Sequence, residues 1–195
     1  MEIFRKKIVA VPIALVVVLL STIFSVNRTL GAACQEVEAG FHSGVVYEGY
    51  KRPSIESHLD LRLNRAATII SIAVNYDELQ DHTDYIRNTR EALLHALERG
   101  SVRSCYTANE MLQEAVTGWA LAAEDTMFTE REAMILDTCL SDFTESARAI
   151  TESGYNESVM EFIRTTYDVF PTRILAAISG VDAPEYFDHM NQELS

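Results

Sequence analysis

Two acid–imidazole pairs are the residues whose types and spacing come nearest to a metal site. Glu78 and His82, and again Glu91 and His95, lie four residues apart, so a helix would place each pair on one face. A dinuclear metal centre in a helical bundle instead uses Glu-x-x-His, at a spacing of three, on facing helices. We therefore interpret both pairs as solvated side chains, with a single metal-binding edge as the alternative, and assign no metal ligand.

Acidic residues also cluster at two places in the chain. Neither cluster has the Asp-x-Asp-x-Asp-Gly spacing of a calcium loop. We expect solvated helix faces here, with divalent-cation binding as the alternative. The clusters consist of Asp77, Glu78, Asp81 and Asp84, and of Glu124, Asp125, Glu130 and Glu132.

Three cysteines, Cys34, Cys105 and Cys139, are too few and too widely spaced for a disulfide framework or a zinc motif. We expect Cys105 and Cys139 to act as small hydrophobic residues rather than nucleophiles. The sequence also has no glycine-rich phosphate loop, GxSxG elbow, HExxH or CxxC motif. We therefore assign no catalytic or cofactor-binding residue, expect no cofactor, and predict that the protein is not an enzyme.

The net charge of −13 over 195 residues argues against a nucleic-acid partner, which would need a basic face for phosphates. This charge is unevenly distributed. Residues 1–26 carry three basic side chains and one acidic side chain, a charge of +2, so residues 27–195 carry −15. The two segments are therefore expected to differ in environment.

Residues 8–26 form an uncharged apolar run that would span about 28 Å as a helix, close to the thickness of a bilayer core. We predict an uncleaved transmembrane anchor in the cell membrane. Basic residues 5–7 before it favour a cytoplasmic N-terminus and an extracytoplasmic domain. The alternatives are a signal peptide cleaved after Ala33 and, less favoured, a lipoprotein modified at Cys34.

Beyond the anchor, the pattern of apolar residues is helical almost throughout. Residues 54–99 contain neither Pro nor Gly and carry an apolar stripe at helical spacing, which predicts one long helix with a possible break at 77–83. Gly100 is its expected end. A strand could compete only at residues 44–50, and residues 27–50 could continue the anchor helix.

Capping signals predict the remaining helices. Capping boxes at Thr107 and Thr129 indicate two further helix starts, with a kink at Ser153-Gly154 and a short helix at 172–179. The fold class is therefore all-α: an antiparallel bundle of three or four long helices, preceded by one N-terminal transmembrane helix. We divide the chain into a basic flank (1–7), an anchor (8–26), a helical domain (27–180) and an acidic tail (181–195).

The C-terminal third resembles the closing signature of the LemA family. The matching segments are Tyr155-Asn156, Phe170-Pro171 and Glu185-Tyr186-Phe187, and Glu145 falls where that family usually has a Glu. The resemblance implies a bacterial membrane protein with one N-terminal hydrophobic segment, a helical-bundle domain and no established catalytic activity. Ala67-Thr68 replaces the family's usual Pro-Asn, which would make this chain a divergent member.

Two functions are compatible with this sequence. The first, favoured because no catalytic constellation is found, is a non-enzymatic scaffold or protein-interaction module at the bacterial envelope, since long amphipathic helices pair readily with other helices. Its expected partners are the membrane and an envelope protein. The second is a membrane-tethered sensor that binds a metal or a small ligand.

Overall fold

The computed structural model describes residues 2–188, with side chains from residue 13 onward. The basic side chains at 5–7 and residues 189–195 of the predicted acidic tail lie outside that description. The first helix, α1, runs over Glu2–Ser43. Its part from Ile13 to Ser43 is long and apolar enough to cross a membrane, and the side chains of residues 13–20 are exposed. The predicted N-terminal apolar helix and its continuation beyond residue 26 are confirmed.

The described chain forms two compact units. Unit 1 comprises Met1–Glu38 and Val159–Pro184. Unit 2 comprises Ala39–Ser158 and Glu185–Ser195. Each unit therefore combines two segments that are distant in the sequence.

Unit 1 is organised around α1 and the last helix, α7, which spans Thr172–Ser179 as predicted. Leu30 and Cys34 of α1 are buried against Ala176 of α7. The side-chain amide of Asn27 donates to the Ser179 carbonyl at 3.0 Å. The chain reaches α7 through a π-helical segment at Ile163–Tyr167.

Unit 2 contains a bundle of four long helices. The helices are α2 (Ile55–Ala73), α3 (Gln80–Arg99), α4 (Val102–Ala122) and α5 (Glu130–Thr151). Helix α2 packs against both α3 and α5, while α3 packs against α4. Short connections between successive helices give the antiparallel arrangement that the sequence predicted.

The possible break in the long helix at 54–99 is real and begins earlier than expected, after Ala73. Tyr76 adopts an extended backbone, and a 3-10 turn at Asp77–Leu79 leads into α3. The break lets the Tyr76 ring pack edge-on against Phe128, with ring centroids 4.8 Å apart. Tertiary packing thus decides the position of the break.

The predicted start of α4 at Thr107 is wrong. The helix begins at Val102, because Ser101 is the N-cap and its side chain accepts from the Ser104 amide. The Thr107 hydroxyl, inside the helix, donates to the Arg103 carbonyl at 3.2 Å. The other predicted capping box is confirmed, since Thr129 and Glu132 satisfy each other's backbone amides at the start of α5.

Gly154 separates two helices instead of kinking one. Helix α5 ends at Thr151 and α6 runs over Tyr155–Phe162. Gly154 has a φ of 78°, and a Cβ there would lie 2.6 Å from Tyr47. Tyr47 belongs to a two-stranded hairpin, β1 (Val46–Tyr47) and β2 (Tyr50–Lys51), in the segment where a strand was expected. Only glycine fits this turn without strain.

Candidate ligand-binding cleft

The acid–imidazole pairs do not form a metal site in the described residues. His95 bonds Glu98 at 3.2 Å, instead of Glu91, and both side chains are largely exposed. Glu78 and His82 are also exposed. Among the residues with described side chains, no group of three or more potential ligands is placed to hold a metal ion.

The two cysteines expected to be hydrophobic residues are buried in unit 2. Cys105 is fully buried and Cys139 is 2% exposed. Burial raises the pKa of the Cys105 thiol to about 11 and also raises that of Cys139. Both groups are therefore protonated, and poor nucleophiles, near neutral pH.

A cleft of about 490 Å³ lies within unit 2 and combines charged, amide, hydroxyl and aromatic groups. Its volume lies within the range of small-molecule sites, although its lining is more polar than that of most such sites. Helices α4 and α5 form its long walls, while α2, α6 and the segment after residue 184 complete it. Its lining residues are Arg62, Tyr106, Asn109, Glu110, Gln113, Thr144, Ala147, Ile150, Thr151, Asn156, Phe187 and Asp188.

Arg62 is the most unusual of these residues, because it is 99% buried. Its Nη1 donates to Asn109 Oδ1 at 2.7 Å, and its Nη2 donates to Gln113 Oε1. The guanidinium carbon lies 4.0 Å from the centre of the Phe143 ring, a cation–π contact. Two neutral amides and an aromatic ring therefore fix the orientation of a buried cation.

The charge of Arg62 has no direct counter-ion among the described residues, since no carboxylate lies within 4.0 Å of it. Burial lowers the pKa of the guanidinium to about 10, and the more distant Glu110 only partly opposes this. Its Nε has no hydrogen-bond partner. A buried cation that is only partly compensated is energetically unfavourable and would be stabilised by an anion.

The lining of the cleft also includes aromatic and acidic side chains. Tyr106 and Phe187 stack edge-on with ring centroids 5.5 Å apart. Asp188 Oδ2 accepts from the Asn156 side-chain amide at 3.4 Å. Burial, followed by the nearby charges of Glu110 and Asp188, raises the pKa of the Tyr106 phenol. These residues therefore add negative charge and aromatic surface to the lining of the cleft.

The charged groups of the cleft lie near one another along α4. Asn109, which accepts from Arg62, is three residues from Tyr106, and its side-chain amide donates to Glu110 at 3.5 Å. The charge of Glu110 acts on the pKa of both Arg62 and Tyr106. The cleft therefore combines a buried cation with a carboxylate on the neighbouring helix.

Comparison with known proteins does not assign this arrangement. No protein-family model matches the chain, and no curated protein or solved structure matches it. The geometry of the cleft is consequently the observation that bears most directly on function.

Hydrogen bonds hold the part of the cleft wall that Asn156 and Phe187 form. Tyr155 Oη donates to the Glu185 carbonyl at 2.8 Å. Asn156 bonds the backbone of Phe187. Glu185 Oε2 accepts from the backbone amide of Arg103 at 2.9 Å, at the start of α4. The segment from 185 to 188 is thus fastened to α4 and α6, which places Phe187 and Asp188 in the cleft.

The sequence contained a signal for this site that apolar periodicity alone does not reveal. Arg62 lies three residues after Leu59 and four before Ala66, on the buried stripe of α2. A charged residue at such a position requires polar partners, because burying an unpaired cation is costly. Asn109 and Gln113, spaced by four on α4, supply them.

Proposed function

We propose that this protein is a membrane-anchored helical domain that binds a small ligand through an anionic group, most simply a carboxylate. The observation that carries the proposal is the buried Arg62 guanidinium in the wall of the cleft. The sensor hypothesis allowed either a metal or a small ligand. We propose the small ligand, because the residues with described side chains contain no group placed to hold a metal ion.

The donor geometry of Arg62 suits a carboxylate. Each of its terminal nitrogens uses one N–H for Asn109 or Gln113, so each retains a second N–H. A carboxylate accepts two parallel bonds from such a planar group. The charge-assisted bonds would offset the desolvation of the guanidinium.

The attachment to a membrane is the second part of the proposal. Leu30 and Cys34 both pack on Ala176, and they lie on either side of Ala33, after which a signal peptidase would cut. Cleavage would remove Leu30 from the core of unit 1. This packing supports an uncleaved anchor. We also propose that the helical domain lies outside the cytoplasm and has no catalytic activity of its own. We also retain membership of the LemA family as a proposal.

Ligand screening by thermal unfolding tests the binding function. The full chain, in detergent micelles, would be heated with millimolar monocarboxylates, dicarboxylates, amino acids and short peptides. A ligand of the native state raises the midpoint by mass action. We expect at least one carboxylate to do so, and Arg62→Lys to reduce the shift. If no compound shifts the wild-type midpoint, the proposal is wrong.

A protein-interaction function is the second candidate, favoured by an exposed apolar group near the α4–α5 connection. Leu121, Met127 and Met134 are 65%, 95% and 67% exposed. Flexible methionines are common at protein-binding surfaces. A photo-crosslinking residue at position 127 should give a discrete adduct in membranes, while one at exposed Glu98 should not. Equal labelling from both positions would argue against a specific surface.

A further inference from the structure

We propose that one end of the bundle in unit 2 is a docking surface for a basic amphipathic helix of another protein. The surface, which we name the methionine surface, comprises residues 74–81 and 121–134. This inference rests on the protein-interaction function given above as the second candidate, and it specifies the chemistry of the partner. It follows from exposed apolar side chains and unpaired carboxylates that lie at the same end of the bundle.

Contacts between aromatic side chains bring the two segments together. The Tyr76 ring packs edge-on against Phe128, with ring centroids 4.8 Å apart, and its hydroxyl donates to Glu132 Oε2 at 2.8 Å. Phe128 also lies against Trp119, with ring centroids 6.2 Å apart. The connection between α2 and α3 therefore meets the connection between α4 and α5.

Exposed apolar side chains flank these contacts. Val74 is 49% exposed, and Leu121, Met127 and Met134 are 65%, 95% and 67% exposed. Each of these four lies within two residues of one of the contacting side chains. A partner that covered them would remove apolar area from water. The unbranched methionine side chains can adapt to the shape of such a partner.

Carboxylates without a basic partner lie in the same two segments. The methionine surface carries seven acidic side chains and one basic side chain, Arg131, which gives a net charge of −6. Six of the carboxylates are exposed, and none of the six forms an ion pair among the described residues. They would therefore attract a cationic partner. The six residues are Asp77, Glu78, Asp81, Glu124, Asp125 and Glu130.

This charge selects among the possible occupants of the surface. A second copy of the chain would bring two surfaces of like charge together, which is unfavourable. An anionic membrane surface would likewise be repelled. A basic segment of another protein is attracted by the carboxylates, while its apolar face covers the exposed methionines.

The secondary structure of the surface favours a helix as the partner. Residues 74–81 and 121–134 contain no strand, so they offer no sheet edge to which an extended peptide could add. Their exposed apolar side chains are aliphatic or thioether groups, whereas proline-rich peptides bind in grooves lined by aromatic rings. An amphipathic helix instead docks through apolar side chains of this kind.

A peptide titration followed by NMR of the methionine methyl groups tests this inference. The peptide has about 14 residues, or four helical turns, with leucine on one face and lysine on the other. It is added to the full chain in neutral detergent micelles, and empty micelles correct for peptide bound to detergent. We expect the signals of Met127 and Met134 to shift. Those of Met111 and Met160, which are exposed on α4 and α6, should not.

Two control peptides test the chemistry of the partner. A shuffled peptide of the same composition has no apolar face and should bind about tenfold more weakly, because it cannot cover the methionines. A peptide with glutamate in place of each lysine should also bind about tenfold more weakly, because its charges are repelled.

Protein variants test the two parts of the surface. Met127→Ser combined with Met134→Ser should weaken peptide binding about tenfold, and the fold should be retained because both side chains are exposed. Glu124→Gln combined with Asp125→Asn should weaken binding about threefold.

The matched control for the charge variant is Glu91→Gln combined with Glu98→Gln. It removes two exposed carboxylates near the C-terminal end of α3 and should change binding little.

The outcomes separate this inference from the interaction function on which it rests. Shifts at Met111 and Met160 as large as those at Met127 would overturn the inference, as would equal binding of the shuffled peptide. A discrete crosslink from position 127 without binding of the basic peptide would also overturn it and would leave the interaction function standing. The absence of both the crosslink and peptide binding would overturn both.

Discussion

The side-chain amide of Asn156 and the backbone of Phe187 form a reciprocal pair of hydrogen bonds. Asn156 Nδ2 donates to the Phe187 carbonyl at 3.2 Å, and Asn156 Oδ1 accepts from the Phe187 amide at 2.8 Å. A side-chain amide that pairs in this way imitates a neighbouring β-strand. The interaction joins two residues that are 31 positions apart in the sequence. It thereby holds Phe187 in the wall of the cleft.

Asn156→Ala should release the segment that carries Phe187 and Asp188. Both groups of the Phe187 backbone would lose their partner, so we expect a loss of about 1–3 kcal/mol in the free energy of unfolding. Chemical denaturation of the full chain measures it. Asn88→Ala, at an exposed position on α3, is the control and should change little. Equal effects of the two substitutions would contradict a role for the pairing.

Asn109→Ala should destabilise the fold through Arg62. The substitution removes the acceptor of Arg62 Nη1 and leaves a buried charged donor unsatisfied, which costs about 1–3 kcal/mol. Urea denaturation at neutral pH measures the effect. Asn64→Ala on the exposed side of α2 is the matched control. If Asn109→Ala unfolds at the same urea concentration as the wild-type protein, the burial of Arg62 does not depend on this hydrogen bond.

Trp119, the only tryptophan, should report the core of unit 2. It is 1% exposed, and its ring centroid lies 6.2 Å from that of Phe128. We expect blue-shifted emission and weak quenching by acrylamide in the folded protein. Phe128→Ala should increase quenching, because it opens one side of the indole, whereas Met127→Ala should not, since Met127 is 95% exposed. Strong quenching of the wild-type protein would contradict this packing.

The fold could be predicted from the sequence wherever local signals and packing agree. Thr129 and Glu132 are three residues apart at the start of an apolar repeat, and the capping box forms there. Thr107 had the same local signal and failed, because Gly100 ends α3 in a left-handed conformation and Ser101 then caps α4. A capping signal is therefore not decisive when an earlier residue can start the helix.

The cleft could not be predicted from the sequence in the same way. Its groups come from four helices and a C-terminal segment, and hydrophobic periodicity does not indicate which polar residues meet. The sequence alone does not distinguish Arg62 from the other charged residues of the helices. Its burial against Asn109 and Phe143 is seen only in the structure. Most carboxylates of the two acidic clusters are exposed, whereas Asp84 pairs with Arg87 and Glu132 accepts hydrogen bonds from Tyr76 and Thr129.

The buried thiols of Cys105 and Cys139 should resist alkylation. Burial raises the pKa of both thiols, that of Cys105 to about 11, so little thiolate is present at pH 8. We expect slow labelling by iodoacetamide in the native protein and rapid labelling in urea, followed by peptide mass spectrometry. Rapid native labelling at either position would contradict the buried placement.

Glu132 should make stability depend on pH on the acidic side. Thr129 and Tyr76 both donate hydrogen bonds to its carboxylate, and these bonds lower its pKa in the folded state. In the pH range between the lowered pKa and the ordinary value, the unfolded chain binds more protons than the folded one. The contribution of Glu132 is therefore fully present above about pH 4.5. It is lost as pH falls through the folded-state pKa.

Glu132→Gln tests this dependence by urea denaturation between pH 3 and pH 7. The wild-type protein should be more stable than the variant at neutral pH, and the difference should shrink as the pH falls, since protonation removes the charge that the variant already lacks. Glu130→Gln is the matched control, because Glu130 shares the first turn of α5 and its side chain is exposed. A difference for Glu132→Gln that is constant over this pH range would show that the hydrogen bonds to its carboxylate do not depend on the charge.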